Sequence, residues 1–239
     1  MSFKGLIYAA MGFSLLANIS CSQYELFNLR NEIGNVSSNK IMLETKTKYK
    51  MAGYDNELEN KLKGYGNVVG NFIITVDHVV SFNKFEEQTT FGTIEEYQIE
   101  KISEETTFNG ERLEEIVNDS ELDIAVFKLP ENLKGKYQDI KMGDSDKLEV
   151  LDKVCLIGNP GLKEEIIKCD IIASKVIGVR ETDIGNVYGF LTQILARTGD
   201  SGTPLVNEKG ELIGLANAIL NRYSVTNVVP INKFKEYMK

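Results

Sequence analysis

The chain contains one histidine, His78, set just past the apolar run Phe72–Val76, where a strand would give way to a turn. Asp123 stands immediately ahead of a second apolar run, Ile124–Phe127. Ser201 sits in a turn between Gly199 and Gly202, and Pro204–Val206 follows. These three residue types share one chemistry. A serine hydroxyl is a weak nucleophile and needs a base beside it. Histidine has the ordinary pKa suited to that role near neutrality. A carboxylate holds the imidazole in the right tautomer and steadies the imidazolium that forms. Gly199 lets the backbone turn so that its N–H and that of Ser201 face a developing oxyanion. Loss of one such donor typically costs about 2.7–4 kcal/mol in the transition state.

Each segment alone has an ordinary explanation. A histidine beside apolar residues is usually a satisfied core group. An aspartate at a strand start usually caps a turn, and a glycine-flanked serine usually marks a tight loop. The order carries more information. His78, Asp123 and Ser201 run in the order of the chymotrypsin arrangement, whereas α/β-hydrolases run serine, aspartate, histidine. The hydrolase elbow also needs glycine two residues after the serine, where Thr203 stands here.

The rest of the sequence must supply elements that hold these residues. It has 239 residues, 42% apolar and 26% charged, with 4 prolines and a formal charge of −8, which suits a folded core and excludes a disordered chain. Thirty-five acidic against 27 basic residues exclude a general nucleic-acid surface. One histidine rules out a multi-histidine metal centre, and the 3 cysteines form no CxxC pair for zinc. No internal repeat is present. Short Val- and Ile-rich runs predict strands at Val68–Val76, Ile124–Leu129, Val154–Ile157, Ile166–Val179, Leu212–Leu220 and Ser224–Val229. A turn is expected from His78 and a helix over Lys233–Lys239. Many strands and few helices predict a sandwich or barrels.

The N-terminus is of another kind. Met1–Lys4 is positive, Gly5–Ile19 is apolar and uncharged, and Ser20-Cys21 follow. The apolar run is short for a membrane span and suits a secretion signal. A small residue before Cys21 resembles a bacterial lipoprotein cleavage site, although Asn18 stands where such sites carry an aliphatic residue. Lipidation of Cys21, a plain signal and an uncleaved anchor all fit. Ser22–Lys40 is polar and reads as a tether. Cys155 and Cys169 flank a turn near Gly161–Leu162 and would face each other in an antiparallel hairpin, either as a disulfide or as two buried thiols.

Together these segments resemble the trypsin-like serine proteases, most closely the bacterial HtrA/Deg branch. The likeness runs from about Val68 to Tyr237. It rests on Phe72–Val80, Leu122–Val126, the turn Gly158-Asn159-Pro160-Gly161, Gly199–Val206 with Gly210–Gly214, and Val229–Lys233. Thr203 takes the place of the family's second glycine. The resemblance implies an all-β fold of two six-stranded Greek-key barrels with a short C-terminal helix. Its parts would be a signal or lipoprotein segment (1–21), a tether (22–40), one barrel (41–130), a linker (131–147) and a second barrel (148–239). It implies His78, Asp123 and Ser201 as catalytic residues and Gly199 and Ser201 as the oxyanion hole. Leu195 would lie at the base of the primary pocket. Protein or peptide substrates follow, with no cofactor, metal or nucleic acid, an exported location in the cell envelope, and membrane attachment through a lipid anchor or the signal segment. The chain stops at Lys239, so no PDZ module is expected. A leucine at the pocket base favours cleavage after Val, Ala or Leu, and Arg197 turned inward would favour an acidic side chain instead. The Glu-rich insertion Phe82–Asn118 reads as a solvated hairpin or a substrate-facing loop. A protease-like binding module without turnover is the competing reading, and the oligomeric state stays open.

Overall fold

The computed structural model describes residues 31–88, 94–158, 166–182, 185–197, 199–220 and 224–239. Cys21, the signal segment and the first part of the expected tether lie outside the described residues. Residues 31–38 of that stretch form helix α1, with Ile33 and Val36 buried. Among the described residues no helix is long and apolar enough to cross a membrane.

The first lobe contains β1 (Lys40–Met51), β2 (Glu57–Val69), β3 (Phe72–Thr75), β4 (Lys84–Gln88), β5 (Ile94–Phe108), β6 (Glu111–Arg112), β7 (Glu114–Asp119) and β8 (Ile124–Lys128). They pair in the order β4-β5-β1-β2-β3-β8-β7, with β6 on β5, as one curled antiparallel sheet. This lobe therefore has more strands than the six expected. The extra length comes from the Phe82–Asn118 insertion, where β4 and the start of β5 form a hairpin. Along β1 the residues alternate between buried and exposed. Ile41, Leu43, Thr45, Thr47 and Tyr49 face the interior, and Met42, Glu44, Lys46 and Lys48 face water, as the two-residue period of a strand requires. The run Val68–Val76, expected as one strand, is a hairpin. Gly70 takes φ +59 in the turn, and Val68 pairs with Ile73.

The second lobe is a closed six-stranded barrel. It comprises β9 (Lys153–Gly158), β10 (Ile166–Thr182), β11 (Gly185–Thr192), β12 (Pro204–Asn207), β13 (Leu212–Leu220) and β14 (Val225–Pro230), ordered β10-β11-β14-β13-β12-β9. Its interior is filled by Leu156, Ile172, Phe190, Leu205, Ile213 and Val228. Cys155 and Cys169 lie opposite each other in the β9–β10 register and form a disulfide.

Residues on the barrel's outer face, including Ile157, Val206, Leu212 and Val229, share one buried cluster with Leu43, Ile73 and Val126 of the first lobe. Helix α2 (Ile231–Tyr237) adds Ile231 and Phe234 to that cluster. A seam of this kind holds the lobes together because each buried aliphatic side chain is worth about 1.5–3 kcal/mol relative to exposure.

Candidate active site

His78 sits in a 3-10 turn, Asp77–Val79, that follows β3 after one residue. Asp123 closes the turn before β8 and takes φ +57, a left-handed conformation in which aspartate is among the better tolerated residues. Asp119 shapes that turn by accepting the N–H groups of Glu121 at 3.1 Å and Leu122 at 3.0 Å. The Tyr237 hydroxyl of α2 donates to its other oxygen at 3.2 Å. Because β3 and β8 are paired neighbours, their ends bring His78 and Asp123 side by side.

Both carboxylate oxygens of Asp123 are used. One accepts the His78 backbone N–H at 2.9 Å, and the other lies 2.8 Å from His78 Nδ1. An ionised carboxylate only accepts, so Nδ1 carries the proton and Nε2 keeps its lone pair for a base's work. Burial pulls the imidazole pKa down, but the Asp123 hydrogen bond, its charge and the charge of Asp77 outweigh this and leave it raised. The ring remains 45% exposed, so solvent tempers both effects.

Asp77 received no role from its sequence position. It is buried, and its Oδ1 has no hydrogen-bond partner. Burial first, then the charges of Asp123 and Glu104, push its pKa up to about 6 against the opposing Asn118 hydrogen bond and Lys101 charge. The loop after His78 is held from β5. Glu104 accepts the Phe82 N–H at 2.9 Å, the Thr47 hydroxyl at 2.8 Å and the Lys101 ammonium at 2.8 Å.

Ser201 comes from the other lobe, in the turn ahead of β12. Gly199 and Gly202 there take φ +95 and +80, which only glycine adopts without strain. The turn docks on the first lobe. The Tyr65 N–H donates to the Ser201 carbonyl at 3.4 Å, and Asn67 Nδ2 donates to the Gly202 carbonyl at 2.8 Å. Gly202 packs against the Tyr65 carbonyl so closely that a Cβ would run into it, and the Thr75 hydroxyl lies 3.0 Å from that Cβ position. Thr75 ends β3, three residues before His78, so the serine turn and the histidine turn meet at one junction. The Ser201 hydroxyl donates to the Asn217 carbonyl of β13 at 3.3 Å. No hydrogen bond joins it to His78 among the described residues.

Thr203 is fully buried, and its hydroxyl donates to the Asp200 carbonyl at 2.6 Å, beside its own N–H at 3.0 Å. Leu195 is 51% exposed. Its neighbours Ile194 and Ala196 are buried, held by the Thr226 hydroxyl, which donates to the Ile194 carbonyl at 2.6 Å and accepts the Ala196 N–H at 2.9 Å. A polar hollow of about 840 Å³ elsewhere on the second lobe is lined by Asp144, Lys147, Glu208 and Lys235, and holds none of these residues.

A curled sheet and a closed barrel define the chymotrypsin-like class of fold, and the His–Asp couple lies on one lobe and the glycine-flanked serine on the other. The family model "Trypsin-like peptidase domain" matches residues 64–215, more than half of the chain, and the chain belongs to that family. It is 35% identical over 168 residues to a probable periplasmic serine endoprotease DegP-like of Buchnera aphidicola (subspecies Baizongia pistaciae), covering 67% of this chain and 32% of that protein. Against the periplasmic serine endoprotease DegP of Escherichia coli K12 it is 38% identical over 105 residues, covering 43% of this chain and 21% of DegP. The chain thus spans about a third or less of the length of these relatives. A solved structure of the HtrA-type protease AlgW with tripeptide superposes with a TM-score of 0.58 at 19% identity, over 88% of this chain and 62% of that one, a likeness of fold.

Proposed function

We propose that this chain is an exported serine endopeptidase in which Ser201 is the nucleophile, His78 the general base and Asp123 the residue that orients it. The reading rests above all on the His78–Asp123 couple, with Nδ1 bound at 2.8 Å, standing at the junction where the Ser201 turn docks. In the first step Ser201 Oγ attacks the scissile carbonyl and its proton passes to His78 Nε2. The N–H groups of Gly199 and Ser201 receive the charge that builds on the carbonyl oxygen. His78 then gives the proton to the leaving amine as the C–N bond breaks, and an acyl-enzyme remains. Water, activated by the same imidazole, releases the acid and restores Ser201. Leu195 at the proposed base of the primary pocket favours a small or medium apolar side chain before the cleaved bond, because it offers a cation no partner. The charge-free segment Gly5–Ile19 and the periplasmic relatives support export, and Cys21 is the candidate for lipid attachment.

The competing reading, a binding module without turnover, draws on the Ser201 hydroxyl being turned to Asn217 rather than His78. Catalytic hydrogen bonds often tighten only with substrate bound, so this orientation alone does not favour the module. A fluorophosphonate probe decides between them, since it labels only an activated serine. Labelling of the full chain that vanishes in Ser201→Ala supports the peptidase. An unlabelled wild type that still binds peptide overturns it.

A further inference from the structure

Asp200 stands between the two residues assigned to the oxyanion hole, and its carboxylate is fully buried. Its Oδ2 accepts the Arg197 N–H at 2.8 Å. Its Oδ1 has no hydrogen-bond partner and rests against Gly158, where a Cβ would stand only 2.6 Å away. Among the described residues a single cation answers this charge. Lys168 Nζ lies 3.5 Å from Oδ2 and donates to the Leu195 carbonyl at 3.0 Å. Its side chain is 23% exposed, against 1% for that of Asp200. Lys168 itself is firmly seated. It pairs with Leu156 across the β9–β10 ladder, and its neighbour Cys169 is bonded to Cys155.

We propose that Lys168 is a positioning residue for the oxyanion hole, acting through Asp200. The inference rests on the peptidase reading above. A buried carboxylate is tolerated only when paired, and removal of its partner leaves an uncompensated charge that drives the side chain toward water. Asp200 cannot swing out alone. The peptide unit after it carries the Ser201 N–H, and the unit before it joins it to Gly199 with its own N–H tied to the Arg197 carbonyl at 2.9 Å, so movement of the carboxylate rotates the Ser201 donor and drags the Gly199 turn with it. Lys168 grips both ends of the segment, the Leu195 carbonyl before it and the Asp200 carboxylate within it. Thr203 pins the Asp200 carbonyl from the far side. An internal side chain thus supplies the positive charge that keeps the hole formed, without a second protein or ligand.

The test compares fluorophosphonate labelling rates and peptide-hydrolysis kcat and KM for the wild-type full chain, Lys168→Met, Lys168→Arg and the double variant Lys168→Met/Asp200→Asn. Lys168→Met is expected to label at least about tenfold more slowly, with the loss in kcat and KM moving less than about threefold, as for removal of transition-state donors. Lys168→Arg keeps the charge and should hold within about fivefold of wild type. The double variant is the decisive arm. A neutral amide needs no counter-charge, and its oxygen still accepts the Arg197 N–H, so labelling should recover to within about threefold of wild type. Labelling of Lys168→Met at the wild-type rate overturns the inference. So does a double variant as slow as Lys168→Met, because Lys168 then does not act through Asp200. Should Lys168→Met fail to fold, the double variant carries the test: folded and labelled it supports the inference, folded and unlabelled it overturns it. An unlabelled wild type is a different failure, that of the nucleophile assignment, and removes both.

Discussion

Asp77 gives a sharp test of the electrostatics around His78. Its carboxyl is buried, one oxygen is unpartnered, and its pKa is pushed up to about 6, with burial the chief cause and the Asp123 charge next. Each tenfold in proton affinity is worth about 1.4 kcal/mol, so ionising Asp77 costs about 3 kcal/mol more in the fold than in the unfolded chain. The folded protein holds the proton more tightly than the unfolded chain, so this group stabilises at low pH. That contribution is lost as pH rises from about 4 through about 6. In Asp77→Asn the loss is gone, and the variant should exceed its parent most at neutral pH. For a chain of this size about 3 kcal/mol corresponds to roughly 6–12 °C in Tm. Thermal unfolding followed by circular dichroism at pH 4 and pH 7.5, in a Ser201→Ala background to prevent self-digestion, reads the difference. Asp77 also helps to raise the His78 pKa, so in the active protein the acid limb of kcat/KM should move to lower pH in Asp77→Asn. Parallel Tm–pH curves for variant and parent would refute the reasoning, because an Asp77 titrating alike in both states contributes no slope.

Asp123→Asn puts the wrong tautomer on His78 and should lower kcat by about 10⁴ with the fold retained; activity within tenfold of wild type in a peptide assay contradicts the orienting role. Removal of the Cys155–Cys169 disulfide by paired alanine substitution should cost about 3 kcal/mol, since a loop of about 15 residues is released. A urea midpoint unchanged at constant m-value speaks against that, as do two free thiols in a form of the protein lacking Cys21. Gly202→Ala forces a Cβ onto the Tyr65 carbonyl at a positive φ and should cost at least about 2 kcal/mol together with most of the activity, read by denaturant unfolding and hydrolysis rate. Peptide-library profiling should find cleavage after Val, Ala or Leu, and dominant cleavage after Lys or Arg refutes the apolar pocket.

How far the sequence could be read depended on where each signal resides. His78, Asp123 and Ser201 stood out as candidates because each sits in a short local pattern of apolar run, turn and glycine. Strands such as Leu212–Leu220 were legible because their residues are almost all apolar. β1 and β5 were not, because the buried face of β1 uses Thr45 and Thr47, paired with Thr106 and Glu104 of β5, while the exposed face of β1 is Lys and Glu beyond Met42. An alternation built partly from threonine is faint on any hydropathy scale. The hairpin at Gly70 was hidden for the opposite reason, since apolar residues on both sides merged into one run.

The sequence by itself determined the all-β class, the β9–β10 hairpin that sets Cys155 against Cys169, and the chain order of the three chemistry-bearing residues. These follow from side-chain type and near-neighbour spacing. Tertiary structure alone decided which charges meet. Asp77 lies one residue from His78, yet its burial, its repulsion by Asp123 and its high pKa arise from strands that are distant in the chain. Lys168 reaches Asp200 across 32 residues because β10 lies beside the serine turn in the closed barrel. Electrostatic energies depend on distance and dielectric, and folding sets both.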